Sequence, residues 1–161
     1  MEYVLCVGTN IGDRYDNLKR LCDSLDLIPD TKVVKKSNIY VTAPIGYIDQ
    51  QDFYNAALLV ESDFDCNQML GICMGIEAGF GRVRSIKNGP RIIDCDMIFA
   101  QNIISDTKHL VLPHPRYHER RFVLEPLMDL FPNGVAYGFD FNQFYKNCQN
   151  QEVEKLDNFT L

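Results

Sequence analysis

The residues best suited to chemistry are two aspartates, Asp94 and Asp96, which alternate with apolar residues. Side chains on a strand alternate between its faces, so both carboxylates would point away from the core-like set Ile93, Cys95 and Met97. Two parallel carboxylates repel each other unless a cation bridges them, and Mg²⁺ takes one or two carboxylates together with phosphate oxygens. The pattern therefore predicts a site for a nucleoside triphosphate with Mg²⁺.

The segment before the aspartates is strongly basic. No acid lies between Glu77 and Asp94, and four cations fall within ten residues, namely Arg82, Arg84, Lys87 and Arg91. A charge run of this kind can be a solvated loop, but the acid pair that follows favours an anion-binding site. The chain has neither a P-loop nor a kinase-type glycine-rich loop, so side chains would have to hold the phosphates.

A second basic group lies nearer the C-terminus. It comprises His114, Arg116, His118, Arg120 and Arg121. The two prolines that flank His114 restrict its backbone. The sequence leaves two interpretations open for this histidine: a phosphate contact or a structural side chain.

Composition limits the remaining possibilities. The chain has 161 residues, 46% of them hydrophobic and 24% charged, with a net charge of −6, which fits one globular domain in which a core can form. The acidic balance argues against a nucleic-acid or anionic-membrane surface spread over the whole protein. Six cysteines without a C-x-x-C pair indicate reduced thiols, and the N-terminal apolar run is too short for a signal peptide or a membrane span. We therefore expect a cytoplasmic protein.

Hydrophobic periodicity predicts an α+β fold. The expected strands are 3–7, 33–41, 53–60, 92–99 and a weaker one at 110–112, and the expected helices are 13–28, one opening at Asp65 with Gln68 in a capping box, and 120–131. This is the order of a ferredoxin-like split βαβ sheet. Two helices would cover one sheet face, extra helices would follow at the C-terminus, and the other face would be free for a ligand.

Six segments resemble the 6-hydroxymethyl-7,8-dihydropterin pyrophosphokinase family. They are G-T-N-I-G-D-R at 8–14, T-A-P-I-G at 42–46, F-Y-N-A-A at 53–57, I-E-x-x-x-G-R-V-R at 76–84, G-P-R-I-I-D-C-D at 89–96 and P-H-P-R-Y-H-E-R-R-F-V-L-x-P-L at 113–127. The resemblance covers about residues 1–132. We expect one domain over 1–161, with 133–161 as a C-terminal extension.

The resemblance implies that pyrophosphate passes from ATP to the hydroxymethyl group of the pterin, with release of AMP, in folate biosynthesis. It makes Asp94 and Asp96 the ligands of two Mg²⁺ ions and Arg82 and Arg91 catalytic. It assigns nucleotide contacts to Arg84, Met74, Met97, His114 and Arg120, and pterin contacts to Thr42, Ala43, Ile45, Phe53, Asn55 and Phe122. Without the resemblance, plain core packing would be the preferred interpretation of Phe53 and Phe122.

The chain departs from the family pattern at a few positions. The basic loop is one residue short, Asn88 stands where many members have an aromatic, Met74 replaces a Gln of some members, and Pro115 replaces a Tyr. Two other functions are weighed against the enzyme: a nucleotide-sensing module without chemistry, and a nucleic-acid-binding domain, which the net charge disfavours. A monomer with two small-molecule substrates, and without nucleic acid or membrane partners, is expected.

Overall fold

A computed structural model describes residues 1–44, 49–81 and 89–161. The strands are β1 (Glu2–Thr9), β2 (Thr31–Lys36), β3 (Tyr40–Thr42), β4 (Phe53–Ser62), β5 (Asp94–Ala100), β6 (Ser105–Asp106), β7 (Val111–Leu112), β8 (Val135–Ala136), β9 (Phe139–Asp140) and β10 (Glu154–Lys155). The helices are α1 (Arg14–Asp26), α2 (Cys66–Gly79), α3 (Arg121–Leu130) and α4 (Asn142–Asn147), with a 3₁₀ turn at Tyr117–Glu119.

The main sheet is antiparallel in the order β10-β3-β4-β1-β5, and β2 pairs with the second half of β4. Strand β1 is central, between β4 and β5. Because β1 runs against both neighbours, its C-terminal end lies beside the N-terminal ends of β4 and β5. Thr42 at the end of β3 pairs with Phe53 at the same end of the sheet. Four chain segments therefore meet there, and we call this the site end.

Helices α1 and α2 cover the first face of the sheet, as the sequence predicts. Leu18, Leu21 and Leu25 of α1 are buried against Leu5 and Val7 of β1 in what we call the first-face cluster. Helix α2 starts with the predicted capping box, in which the carboxylate of Asp65 accepts from the backbone N–H of Gln68 at 2.9 Å, and Gln68 accepts the N–H of Asp65 at 2.8 Å. Reciprocal caps of this kind satisfy backbone donors that a helix start leaves unpaired.

The second face is not free, so that part of the expectation is wrong. Val4, Cys6, Ala57 and Ile98 of the sheet pack against Val123, Leu124 and Leu127 of α3, and Phe141 from the C-terminal segment closes the same second-face cluster. The sequence pattern of α3 predicted correctly which of its residues face inward. It could not tell which face of the sheet α3 would cover.

The predicted strand 33–41 is two strands instead. Ser37 stands between β2 and β3, where its backbone N–H donates to the carbonyl of Ala57 at 2.9 Å and its hydroxyl oxygen accepts from the N–H of Ala57 at 2.8 Å. The serine side chain thus takes the place of a backbone acceptor. The hydrogen-bonded partner of β4 is therefore divided into β2 and β3. The break frees β3 to follow the first residues of β4 toward the site end.

Both sides of the main sheet are extended by segments that follow in the C-terminal half of the chain. Strand β10 pairs with β3, and the N–H of Leu156 donates to the carbonyl of Ile39 at 2.8 Å. On the opposite side, the N–H of His114 donates to the carbonyl of Ile98 at 2.9 Å. The C-terminal segment therefore belongs to the sheet as well as to the second-face cluster.

Two further features of the structure concern the cysteines and the lengths of the helices. All six cysteines are free thiols, five of them buried. No helix within the described ranges has the length and apolar character that crossing a bilayer requires.

Candidate active site

The predicted metal ligands lie on the second face at the site end. Asp94 pairs with Gly8 and Asp96 with Cys6 across β1, and Gly8 pairs in turn with Asn55 of β4. Because paired residues share a face, Asp94, Asp96 and Asn55 point to the same side of the sheet. Cys95 lies on the other side, buried in the first-face cluster.

The local charges make the aspartate pair a fitting site for a cation. Burial, and then the charges of Asp94 and Glu77, raise the pKa of Asp96 to about 6, against the opposing effect of Arg91 and Arg120. A bound cation would stabilise the ionised form of both carboxylates. No group of three or more His, Cys, Asp or Glu side chains suited to a metal occurs in the described part of the chain, so phosphate oxygens of a substrate would have to complete the coordination of Mg²⁺.

Strand β5 is fixed from behind by a buried acid of α2. Glu77 is 8% exposed, and its carboxylate accepts from the backbone N–H of Cys95 at 2.9 Å. This bond holds the residue between the two aspartates. It therefore sets the position of both carboxylates relative to α2.

Arg91 connects the acidic part of the site with an aromatic one. Its guanidinium donates to the carboxylate of Asp94, and its Cζ lies 5.9 Å from the centroid of the Phe53 ring. A partly exposed arginine in this position can exchange its carboxylate partner for a phosphate, which has the same bidentate geometry.

The predicted pterin contacts Thr42 and Asn55 form one buried polar pair. Asn55 is 4% exposed, and its Nδ2 donates to Thr42 Oγ1 at 2.8 Å. A Cβ on Gly8 would lie 3.0 Å from Asn55 Oδ1, so the glycine leaves room for the amide. This amide can present an acceptor and a donor to the edge of a flat heterocycle. Ala43 follows Thr42 directly and is exposed.

The two predicted stacking rings each have an arginine above them. The Cζ of Arg91 lies over Phe53, and the Cζ of Arg120 lies 5.6 Å from the centroid of Phe122. Phe122 also packs against the second-face cluster. Part of this ring is therefore core, as the alternative interpretation expects, and the rest is available to a ligand.

The second basic group approaches the aspartates through Arg120 and His114. Burial and the Arg116 charge lower the pKa of Arg120, while Asp96 and Asp94 act in the opposite direction. Burial, and then Arg120 and Arg116, lower the pKa of His114. A neutral imidazole at pH 7 can donate one hydrogen bond and accept another, but it adds no charge to bind phosphate.

Other predicted residues lie elsewhere in the fold or outside the described part of the chain. Met97 is 5% exposed and packs in the first-face cluster, on the side of β5 opposite the aspartates, and the nucleotide contact expected of it stays a prediction. Met74 is 59% exposed on α2, which covers the first face. Arg82, Arg84 and Ile45 lie outside the described residues.

Asn10 is a site residue that the sequence did not single out. It follows β1, is 2% exposed, and makes hydrogen bonds both to Arg91 and to Gln50 and Gln51. In the sequence it lies between the predicted strand 3–7 and the predicted helix 13–28. A buried amide in that position is visible only when the partners, 40 and 81 residues away, are known.

Fold and site together describe an α+β protein in which an acidic pair, with Arg91 and Arg120 nearby, shares one sheet face with the buried amide of Asn55. The chain belongs to the 7,8-dihydro-6-hydroxymethylpterin-pyrophosphokinase (HPPK) family, whose sequence model matches residues 4–132.

The relatives agree with this assignment. The 2-amino-4-hydroxy-6-hydroxymethyldihydropteridine pyrophosphokinase of Methylorubrum extorquens is 35% identical over 153 residues, which are 95% of this chain and 97% of that protein. The protein of the same name from Bacillus subtilis is 36% identical over 126 residues, 78% of this chain and 75% of that protein.

Solved structures confirm the ferredoxin-like α+β fold. An HPPK-DHPS in complex with substrates superposes with a TM-score of 0.65 at 17% identity, over 91% of this chain. The wild-type HPPK-DHPS of Plasmodium falciparum gives a TM-score of 0.64 at 17% identity, also over 91% of this chain. The chain spans 43% of the length of each of these structures.

Proposed function

We propose that this protein transfers pyrophosphate from ATP to the hydroxymethyl group of 6-hydroxymethyl-7,8-dihydropterin and releases AMP, a step of folate biosynthesis. The observation that carries the proposal is the placement of Asp94 and Asp96 on one sheet face with Asn55, with Arg91 bridging the two parts of the site. Family membership supports the same reaction.

The acidic and basic side chains would form the nucleotide half of the site. Asp94 and Asp96 would hold Mg²⁺, for which two ions are proposed, and bound Mg²⁺ neutralises charge on the triphosphate and orients it. Arg91 would leave Asp94 for a phosphate oxygen, and Arg120 and His114 would contact the nucleotide. Arg82 and Arg84 are proposed for the same half by resemblance.

The polar and aromatic side chains would form the pterin half. The Asn55 amide, oriented by Thr42, would bond the donor–acceptor edge of the ring, and Phe53 and Phe122 would pack on its faces. The backbone at Ala43 and Ile45 is proposed to complete this pocket.

The reaction in such a site depends on positioning and electrostatics. The pterin hydroxyl oxygen forms a bond to the β-phosphorus, the bond from that phosphorus to the α–β bridging oxygen breaks, AMP leaves, and the hydroxyl proton goes to water. Arg91 would stabilise the charge that develops on the transferred group. Phosphoryl transfer through a loose transition state needs little help from a general base.

The test is AMP release from ATP and Mg²⁺ with and without 6-hydroxymethyl-7,8-dihydropterin. We expect AMP only when the pterin is present, together with the pterin diphosphate in equal amount. Binding of ATP without pterin-dependent AMP would overturn the proposal in favour of a nucleotide-sensing module.

Arg91→Ala should lower kcat by about a hundredfold or more, because its guanidinium acts on charge that grows in the transition state. The Kd of the ATP complex should change by less than about tenfold. Steady-state kinetics and calorimetric titration check the two values. Arg91→Lys should recover only part of the rate, since lysine lacks the planar fork. Arg20→Ala, an exposed arginine of α1, is the matched control, and a pure binding defect in Arg91→Ala would contradict the transition-state role.

The proposal also covers the oligomeric state and the cellular setting of the protein. A monomer in the cytoplasm, with two small-molecule substrates and without a nucleic-acid or membrane partner, is the proposed state. Six free thiols support a reducing compartment.

A further inference from the structure

The side chain of Asn10 lies where the two halves of the site come closest. Asn10 directly follows β1, whose neighbours β4 and β5 both begin at this end of the sheet. It is therefore the first residue after the central strand, at the site end of the sheet. Segment 49–52 leads into β4 and Phe53 on one side, and segment 89–93 leads into β5 and Asp94 on the other.

On the nucleotide side, Asn10 holds the backbone of Arg91 from both directions. The N–H of Arg91 donates to Asn10 Oδ1 at 2.8 Å, and the N–H of Asn10 donates to the carbonyl of Arg91 at 3.1 Å. These two bonds fix Arg91 three residues before Asp94, with which its guanidinium is paired.

On the pterin side, the same amide holds segment 49–52. Asn10 Nδ2 donates to Gln50 Oε1 at 2.8 Å and to the carbonyl of Gln51 at 2.9 Å. Gln51 lies two residues before Phe53. Both hydrogens of the amide nitrogen and one lone pair of the amide oxygen are thus used, and only asparagine offers this set on so short a side chain.

We propose that Asn10 is a positioning residue that couples the nucleotide and pterin halves, so that occupation of one half increases affinity for the other. The inference rests on the proposed function. When one substrate orders its segment, the Asn10 amide restricts the other segment as well. The substrate that binds second therefore costs the protein less conformational entropy. The ring of Phe53 under the guanidinium of Arg91 at 5.9 Å spans the same gap.

The chain offers a matched control in Asn17. This asparagine is also buried, at 7% exposure, and its Nδ2 donates to Thr9 Oγ1 at 3.2 Å and to the carbonyl of Ile11 at 2.8 Å. It therefore supports the same turn after β1. It has no bond to segment 49–52 or 89–93 in the described structure.

The experiment measures the coupling directly. The Kd of α,β-methylene-ATP with Mg²⁺ is titrated calorimetrically with and without 6-hydroxymethyl-7,8-dihydropterin, in wild type, Asn10→Ala and Asn17→Ala, with the melting temperature of each. We expect wild type to bind the analogue about 5- to 150-fold more tightly when the pterin is present. That ratio should fall to near one in Asn10→Ala and stay at the wild-type value in Asn17→Ala, although both melt lower.

The outcomes separate the two proposals. A wild type that binds neither compound would overturn the proposed function itself. If the wild type binds both without coupling, or Asn10→Ala keeps the wild-type ratio, or Asn17→Ala loses it equally, the positioning role of Asn10 is wrong while the function stands. Should Asn10→Ala fail to fold, Gln50→Ala removes one of the amide's bonds on the pterin side and should lower the ratio.

Discussion

Asp96→Asn should abolish pterin-dependent AMP release, by at least about a hundredfold in kcat, without lowering the free energy of unfolding. Asparagine keeps the shape of the side chain but removes one of the two charges that would hold Mg²⁺. In the absence of a cation, ionised Asp96 destabilises the folded state, because burial and the charges of Asp94 and Glu77 raise its pKa to about 6. Steady-state kinetics and urea unfolding at pH 7 measure the two effects.

A third measurement ties this result to the metal. The Mg²⁺ dependence of ATP-analogue binding should be weakened in Asp96→Asn, whereas Asp106→Asn, an exposed acid of β6, should behave as wild type in all three measurements. Near-wild-type turnover in Asp96→Asn would refute the metal role of the pair. Loss of turnover together with a large loss of stability would mean that Asp96 serves the fold instead.

Phe141→Ala should destabilise the whole domain by about 3–5 kcal/mol, the range for removing a fully buried aromatic ring. Phe141 is 0% exposed and lies in the second-face cluster with residues of β1, β5 and α3, although it belongs to the C-terminal segment beyond the family match. A single cooperative urea transition, shifted to lower denaturant, is the expected result.

Phe159→Ala is the control for this change. Phe159 lies in the same C-terminal segment but is 43% exposed, with its ring centroid 4.9 Å from that of Tyr15. Its loss should change stability by less than about 1 kcal/mol. A Phe141→Ala protein as stable as wild type would mean that residues 133–161 are an appendage on a core that ends near 132.

The aspartate site could be predicted because its signal is local. Two acids alternate with apolar residues over five positions, and strand geometry alone then places both on one face. The capping box of α2 is equally local, since Asp65 and Gln68 are three residues apart. The structure confirms the shared face of the two aspartates and the capping box, and the metal role of the pair stays a prediction.

The predictions that failed depend on contacts distant in sequence. The division of strand 33–41 comes from the bond between Ser37 and Ala57, twenty residues away. The face that α3 covers follows from packing against Val4 and Ile98, which periodicity within α3 cannot reveal.

The two edge contacts of the main sheet also bear on self-association. Unpaired edge strands offer backbone groups to which another chain can add, and this is a common start of aggregation. Here β10 occupies the outer side of β3, and the backbone of His114 engages β5 on the other edge. Fraying of residues 154–156 would uncover the outer side of β3 and expose a template for intermolecular β-pairing.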